Sequence, residues 1–316
     1  MLGKDINKAK SLLDSGEPVA IPTETVYGLA AKATDSDAVL KIFKAKERPF
    51  FDPLICHFKD FDQVKKWLDH IPAKAEVLAK HFWPGPLTLI LAKSSQIPDI
   101  VTSGLDHMGV RIPRHPLTAS LLEQLDYPIA APSANPFGYV SPTTAQHVED
   151  QLGERIPYIL DGGECRIGLE STIVSFKNPE RPRVLRYGAI GVHEIEDIIG
   201  EVDISLNKSS NPEAPGQLKK HYSPKTKVTL SKRDTDKVDS ADADTAHLFY
   251  SKASAKGAPN AFYLSENGDL DEAARNLFRL LREIDDLGFK KIVAEEVPDE
   301  GIGKAINDRL RRAVSE

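Results

Sequence analysis

Ser36-Asp37-Ala38-Val39-Leu40-Lys41-Ile42-Phe43-Lys44-Ala45-Lys46-Glu47-Arg48-Pro49-Phe50-Phe51-Asp52-Pro53-Leu54-Ile55-Cys56-His57-Phe58 holds a complete change of periodicity. Val39, Leu40, Ile42 and Phe43 recur at helical spacing and leave Lys41 and Lys44 toward water, while Ser36 or Asp37 offers a capping oxygen. Proline disfavours the helical region for the residue before it, so Pro49 is expected to end the helix. Pro53 to Phe58 is short, apolar and bounded by proline and charge, which reads as a strand. A helix feeding such a strand is the unit of an α/β fold.

The alternation continues outward. Leu87-Thr88-Leu89-Ile90-Leu91 and Thr172-Ile173-Val174-Ser175-Phe176 read as strands on the same grounds, and the polar residues gather in the joining loops, where sites are usually built. From Asn207 to Pro224 the pattern lapses into Asn-Lys-Ser-Ser-Asn-Pro-Glu-Ala-Pro-Gly, a linker composition. Beyond it, His247-Leu248-Phe249-Tyr250, Ala261-Phe262-Tyr263-Leu264 and Lys291-Ile292-Val293-Ala294 read as strands, and Ala273, Leu277, Leu280, Leu281 and Ile284 mark a helix between Leu270 and Leu287. A single core stops growing near roughly 250 residues. The 316-residue chain is therefore expected to form a larger domain over 1–206, a linker over 207–225 and a smaller α/β domain over 226–316.

With 41% hydrophobic and 28% charged residues the chain is neither disordered throughout nor a membrane bundle. No apolar run has the length needed to cross a bilayer. Met1-Leu2-Gly3-Lys4-Asp5 leads into a mixed-charge helical pattern without the apolar core of a secretory signal, so a cytoplasmic location is expected. A net charge of −6 disfavours non-specific nucleic-acid binding and confines any RNA contact to a local basic cleft. Cys56 and Cys165 are expected to be buried thiols and not a disulfide or metal site.

The common signatures of nucleotide chemistry are missing. Gly163-Glu164-Cys165-Arg166-Ile167-Gly168 has phosphate-loop spacing, but Leu169-Glu170 follows where Lys and Ser or Thr are required. There is no Gly-x-Gly-x-x-Gly turn, zinc-spaced His/Cys cluster or Gly-x-Ser-x-Gly elbow, so neither covalent catalysis nor a tightly held metal or organic cofactor is expected. Short polar motifs at strand ends remain. Ile21 to Gly28 presents two hydroxyls and a phenol at a turn. Lys46-Glu47-Arg48-Pro49 closes a helix with two cations, which suit the helix dipole or an anionic ligand. Arg111 lies in an apolar strand and needs a carboxylate from the protein or from a ligand. Ala130-Ala131-Pro132-Ser133-Ala134-Asn135-Pro136 has small side chains that let a ligand approach the backbone. Leu185-Arg186-Tyr187-Gly188 adds another strand-end cation, and His57 taken alone reads as a core histidine bonded to backbone.

Set in order, Pro22-Thr23-Glu24-Thr25-Val26-Tyr27-Gly28, Lys46-x-Arg48-Pro49, Pro53-Leu54-Ile55, Pro84-Gly85-Pro86-Leu87-Thr88, Val110-Arg111-Ile112-Pro113, Pro132-Ser133-Ala134-Asn135 and Glu170-Ser171-Thr172-Ile173-Val174 resemble the YrdC/Sua5 family. The resemblance spans roughly residues 5–200. Lys220-His221-Tyr222-Ser223-Pro224 followed by a second domain resembles the longer, Sua5 type.

The resemblance implies a twisted mixed α/β sheet curved around a basic cavity, with a smaller Rossmann-like C-terminal domain. It implies synthesis of L-threonylcarbamoyl-AMP and pyrophosphate from L-threonine, bicarbonate and ATP with Mg²⁺, the product passing to proteins that modify tRNA. Lys46, Arg48, Ser133 and Asn135 match the family's catalytic signature on the nucleotide side. Asp52, Ser141, Arg186 and Tyr222 fall, with Arg48 and Ser133, at ATP-contacting positions, and Thr25, His57, Arg111, Ala131 and Thr172 at threonine-contacting positions. Asp52 stands where many members carry Asn, and an acid there repels a triphosphate unless magnesium intervenes. His107-Met108-Gly109 replaces the family's commoner Thr-Val-Ala or Thr-Val-Gly. A linker lid containing Tyr222 is expected to close the cavity. The alternative reading is a non-catalytic module that binds double-stranded RNA or tRNA through the same basic cavity.

Overall fold

The computed structural model describes residues 1–206, 212–216, 222–231, 243–255 and 259–314, and within them the strands form two separate sheets. In chain order the first eleven are β1 (Leu2–Gly3), β2 (Val19–Ile21), β3 (Gly28–Lys32), β4 (Ile55–His57), β5 (Leu87–Ala92), β6 (His107–Arg111), β7 (Ile129–Ala130), β8 (Tyr158–Leu160), β9 (Thr172–Ser175), β10 (Arg183–Arg186) and β11 (Asp203–Ile204). They form one mixed sheet in the order β1-β8-β2-β3-β7-β4-β6-β5-β9-β10-β11. A second sheet contains β12 (Lys227–Ser231), β13 (Thr245–Phe249), β14 (Ala261–Tyr263) and β15 (Lys291–Glu295), all parallel, in the order β12-β15-β13-β14.

The helix read around Val39 spans Ser36–Lys46. Its cap is Asp35, one residue earlier than expected, whose carboxylate accepts from the backbone N–H of Asp37 at 2.9 Å and of Ala38 at 3.1 Å. The helix ends before Pro49 can act, because Glu47 turns left-handed at φ 54°. That early stop brings Arg48 and Asp52 into one buried turn.

Successive residues of a strand face opposite sides of its sheet. Cys56 of β4, Val110 of β6, Leu87, Leu89 and Leu91 of β5, Val174 of β9 and Val184 of β10 join the main core under the helices. Ile55, Ile90, Ile173 and Leu185 face the other side, where Ala214 covers them. His57 and Arg111, paired in register across β4 and β6, share this second side with Ile55. A register shift between Val184 and Arg186 then sets Arg186 opposite Ile173, so Leu185 and Arg186 turn the same way. The cavity described below opens on this side.

The smaller unit packs Ala273, Leu277, Phe278, Leu281 and Ile284 of the helix Leu270–Asp286 into a core that also takes in Val26, Val140 and Leu169 of the larger unit. The same helix docks on the larger unit. Tyr139 Oη donates to Asp285 Oδ2 at 2.6 Å, the Arg282 guanidinium lies 5.1 Å from the Tyr139 ring centroid and donates to the carbonyls of Val140 and Ser141, and Arg275 Nε donates to the carbonyl of Arg166 at 3.1 Å. The aromatic loop after Asn135 is thus the seat of the second unit. The closing helix, Gly303–Ala313, does not stand out in the sequence because its buried face includes Asn307, Arg309 and Arg312. Of the linker, Lys220 and His221 lie outside the described residues. No helix among the described residues is long and apolar enough to cross a membrane.

The docking is close at Gly168, where φ is +80° and an added Cβ would lie 2.6 Å from Arg275 Cα and 2.8 Å from the carbonyl oxygen of Ala274. Gly168→Ala combines a left-handed backbone penalty with overlap against the docking helix and should cost roughly 2–4 kcal/mol. The urea midpoint should fall and protease should separate the two units faster. An unchanged midpoint and cleavage rate would show that the units do not approach so closely.

Candidate active site

The ends of β3, β4, β6 and β10 and the turn after β7 enclose a cavity of ≈ 50 Å³. Arg48, Arg111 and Arg186 line it, only 6%, 4% and 5% exposed. Thr25, His57, Ala131, Ser133 and Tyr222 line it as well, so eight residues singled out in the sequence meet in one place. Gly28 belongs to the same wall, where an added Cβ would stand 3.3 Å from Ala131 Cβ and 3.4 Å from the carbonyl oxygen of Pro132. The linker supplies Pro215, Gly216 and Tyr222.

Each arginine is held differently. Arg111 Nε donates to the carbonyl of Gly85 at 3.3 Å, and its Nη2 meets Thr25 Oγ1 at 3.0 Å and Glu24 Oε1 at 2.8 Å. Of the two partners left open for this strand arginine, a protein carboxylate is present in Glu24, while Nη1 takes no part in these bonds. Thr23 gives its hydroxyl proton to the carbonyl of Val26 at 2.6 Å, so Thr25 donates to Thr23 across their 2.8 Å contact and accepts from Arg111. Arg48 Nε and Nη2 donate to the carbonyls of Asp52 and Pro53, and Nη2 lies 2.9 Å from Asp52 Oδ2. Arg186 donates from Nε and Nη2 to the carbonyl and hydroxyl of Ser171, and from Nη1 to the carbonyl of Pro215 at 3.2 Å.

Five other sequence candidates stand behind this wall. Lys46 is buried, and its Nζ donates to the carbonyls of Ser133 and Asn135. Burial, and then Arg48, hold its ammonium well below the usual lysine range, with Asp52 opposing. Lys46 braces the 133–135 turn. Asn135 Nδ2 bonds the carbonyls of Pro136 and Tyr139 at 2.9 Å each, which shapes the loop after it. Ser141 Oγ donates to Glu170 Oε1 at 2.5 Å. Thr172 shares the helix-covered face of β9 with Val174, and its hydroxyl donates to the carbonyl of Ile190 and accepts from that residue's N–H.

Asp52 corrects an expectation. Its carboxylate is fully buried against Arg48 instead of confronting the cavity. Burial pushes its pKa up, and Arg48, Lys46 and Arg186 pull it down. Its charge compensates the arginine from behind the cavity wall. His107 is turned toward Asp106 at 2.6 Å, away from the cavity. Cys56 and Cys165 are free, buried thiols.

The sequence reading missed Glu24 as the partner of Arg111, and Glu170 as a cavity-lining carboxylate. Glu24 was accessible in principle, because a buried arginine requires an acid and Glu24 lies in a quoted motif. Arg309, which bonds Glu170 from the other unit, left no signal in the pattern. Among the described residues no group of three or more His, Cys, Asp or Glu is arranged to hold a metal ion.

Comparisons with known proteins agree over both units. The family model Sua5_yciO_yrdC, described as "Telomere recombination", matches residues 11–188, and one described as "Threonylcarbamoyl-AMP synthase, C-terminal domain" matches residues 190–315. A threonylcarbamoyl-AMP synthase of Pyrococcus abyssi is 42% identical over 320 residues, covering 98% of this chain and 93% of the relative. Its counterpart in Bacillus subtilis is 38% identical over 327 residues, covering 98% and 92%. The crystal structure of Pyrococcus abyssi Sua5 complexed with L-threonine matches with a TM-score of 0.89 at 38% identity, covering 99% of this chain and 96% of that one.

Burial, and then the Arg111 guanidinium, push the His57 pKa down to about 3. His57 is therefore neutral at physiological pH. Below its ordinary value of 6.5 the unfolded chain takes up a proton that the folded chain refuses, so stability falls as pH drops from 6.5 toward 3. Each such group contributes up to about 1.4 kcal/mol per pH unit in that window. His147, lowered to about 4, acts in the same direction. The urea midpoint should fall between pH 7 and 5, less steeply in His57→Gln. Equal slopes would mean that folded His57 accepts the proton as readily as the unfolded residue.

Proposed function

The chain belongs to the YrdC/Sua5 threonylcarbamoyl-AMP synthase family, and on that premise we propose that its cavity joins L-threonine, bicarbonate and ATP into L-threonylcarbamoyl-AMP, releasing pyrophosphate, for N6-threonylcarbamoyladenosine formation in tRNA. One arrangement supports this most directly: Arg48, Arg111 and Arg186 converge on a single cavity with Thr25, His57, Ala131 and Ser133. An amino-acid carboxylate and a triphosphate both need such donors, and the reaction needs them side by side.

The condensation requires no protein nucleophile. Bicarbonate loses hydroxide to give carbon dioxide, the threonine amine adds to its carbon and loses a proton, the two leaving as water, and a carbamate oxygen then forms a bond to the α-phosphorus of ATP as the bond to the bridging oxygen breaks, leaving that electron pair on pyrophosphate. Catalysis is positioning and charge neutralisation, each of which can lower a barrier by several kcal/mol. Arg111 Nη1 grips the threonine carboxylate, because Nε and Nη2 are engaged by Gly85, Thr25 and Glu24. Neutral His57 and the Thr25 hydroxyl read the rest of the amino acid beside Ala131. Arg48 and Arg186 offset phosphate charge, and Ser133 fixes its geometry. Lys46 and Asn135 act through the turn that they brace. Mg²⁺ enters as the counter-ion of the ATP substrate.

Sites for ligands of this size span roughly 300–1,000 Å³. The ≈ 50 Å³ cavity, with Pro215 and Tyr222 in its wall, supports reading this arrangement as the closed one. Arg186 Nη1, which meets the Pro215 carbonyl, is the donor that a phosphate oxygen would claim. The linker opens to admit ATP and closes again to exclude water and retain the labile product. The deep burial of all three arginines suits this chemistry better than the open groove that duplex RNA needs. Transfer of the product to tRNA-modifying proteins and a cytoplasmic location complete the proposal.

Pyrophosphate release from MgATP should depend on both threonine and bicarbonate. Arg111→Lys removes the fork but keeps the charge, and should raise the KM for threonine about tenfold or more while the KM for ATP changes less than about twofold. Equal effects on the two substrates would remove the carboxylate role of Arg111. Truncation after Ile204 should speed loss of the product to solution, and an unchanged product half-life and rate would remove the lid.

A further inference from the structure

The cavity wall contains a carboxylate that the proposed reaction does not use. Glu170 lies beside Ser171, the residue to which Arg186 donates two hydrogen bonds, and lines the same cavity as Arg186. Of the three cavity arginines, Arg48 is compensated by Asp52 and Arg111 by Glu24, each within 2.9 Å. Arg186 differs, because its hydrogen bonds among the described residues go to neutral oxygens of Ser171 and Pro215, and Glu170 and Asp52 act on it through space only. It therefore brings the least compensated charge to a polyanion. A free Glu170 next door would cancel that charge.

Glu170 is not free. Arg309, fully buried in the closing helix Gly303–Ala313 of the smaller unit, donates from Nε to Glu170 Oε2 at 3.0 Å, while Ser141 Oγ donates to Oε1 at 2.5 Å. Arg309 is itself fixed by Asp308 at 3.0 Å and by the carbonyl of Tyr187 at 2.8 Å. Its guanidinium lies 5.1 Å from the ring centroid of Tyr222, within cation–π range, and that ring stacks on Phe278 of the docking helix at 5.5 Å. One side chain from the second unit thus touches both the cavity carboxylate and the linker tyrosine.

We propose that Arg309 is a positioning residue for nucleotide binding: by capturing Glu170 it limits how far that carboxylate offsets Arg186, leaving more of the Arg186 charge for the phosphates of ATP, and by stacking on Tyr222 it couples the linker to docking of the smaller unit. This rests on the reading that Arg186 meets the nucleotide. It gives the smaller unit a defined electrostatic role at the cavity, whose wall contains none of that unit's residues after Tyr222.

The test measures MgATP binding to the full chain by calorimetry, without threonine, and the KM values of both substrates. Arg309→Met should weaken ATP about tenfold or more, the effect of one buried charge, with threonine changed less than about twofold. Adding Glu170→Gln to Arg309→Met should recover most of the lost ATP affinity, because the liberated charge is gone. A purely structural role for Arg309 predicts no such rescue, and a double variant as weak as Arg309→Met overturns the proposal. So does an equal loss of threonine and ATP. Glu170→Gln alone, informative even if Arg309→Met fails to fold, should bind ATP more tightly than the parent, and weaker binding is the contrary result. Arg186→Met separates the two levels. If it retains parental ATP affinity, the nucleotide reading of the cavity fails. If it loses ATP while Arg309→Met does not, only the role of Arg309 falls.

Discussion

Three guanidinium groups removed from water within one cavity are the constraint from which much of this structure follows. An isolated buried charge is too costly to persist, so each arginine must be met by an acid or by several oxygen acceptors. Arg48 is met by Asp52 and two carbonyls, Arg111 by Glu24, Thr25 and Gly85, and Arg186 by Ser171 and Pro215. These partners come from sequence segments far apart, so satisfying the arginines also fixes where those segments lie. A cavity built in this way is preorganised, since the cost of holding the charges together is met during folding and not during the reaction.

The sheet supplies the directions. Along β4 and β6 the two-residue alternation sends His57 and Arg111 to one face and Cys56 and Val110 to the core. On β9 the same rule turns Thr172 away, which explains why a residue with suitable chemistry for threonine spends its hydroxyl on Ile190. Strict alternation would also have turned Arg186 away from Leu185. The irregularity between Val184 and Arg186 reverses that, at the cost of one interrupted step in the ladder. Functional direction is thus obtained by departing from regular pairing at one residue.

Much of the first sheet was legible in the sequence because its strands are short apolar runs flanked by proline, glycine or charge, as at Pro53–Phe58 and Leu87–Leu91. The cavity was legible as an ordered series of motifs and much less so residue by residue. Composition gives no indication that Lys46 braces a turn from behind while Arg48, two positions on, faces inward. That difference arises from the left-handed turn at Glu47. Asp52 read as a repulsive acid because its partner was not visible, and the pair became evident only when helix end and strand start were brought together. The last helix was hidden for a related reason. Periodicity methods look for apolar stripes, and Asn307, Arg309 and Arg312 occupy positions that such a stripe would fill.

That polar stripe also bears on why the chain has two units. An apolar interface would bury area without direction and leave the cavity electrostatics untouched. This interface has an apolar part, where Val26, Val140 and Leu169 join the cluster of the helix Leu270–Asp286, and adds to it Arg282 against the 140–141 carbonyls, Asp285 against Tyr139, and Arg309 against Glu170. Hydrogen-bonded charges demand one geometry, and breaking one leaves its partner buried and unpaired, so docking is specific and strongly coupled to the groups at its edge. Two of those groups, Glu170 and Tyr222, belong to the cavity wall. Any movement of the linker that displaces Tyr222 therefore also disturbs the Arg309 stack. The position of Tyr222 in the cavity wall and the docking of the second unit are consequently favoured together, as parts of one network of hydrogen bonds and ring contacts.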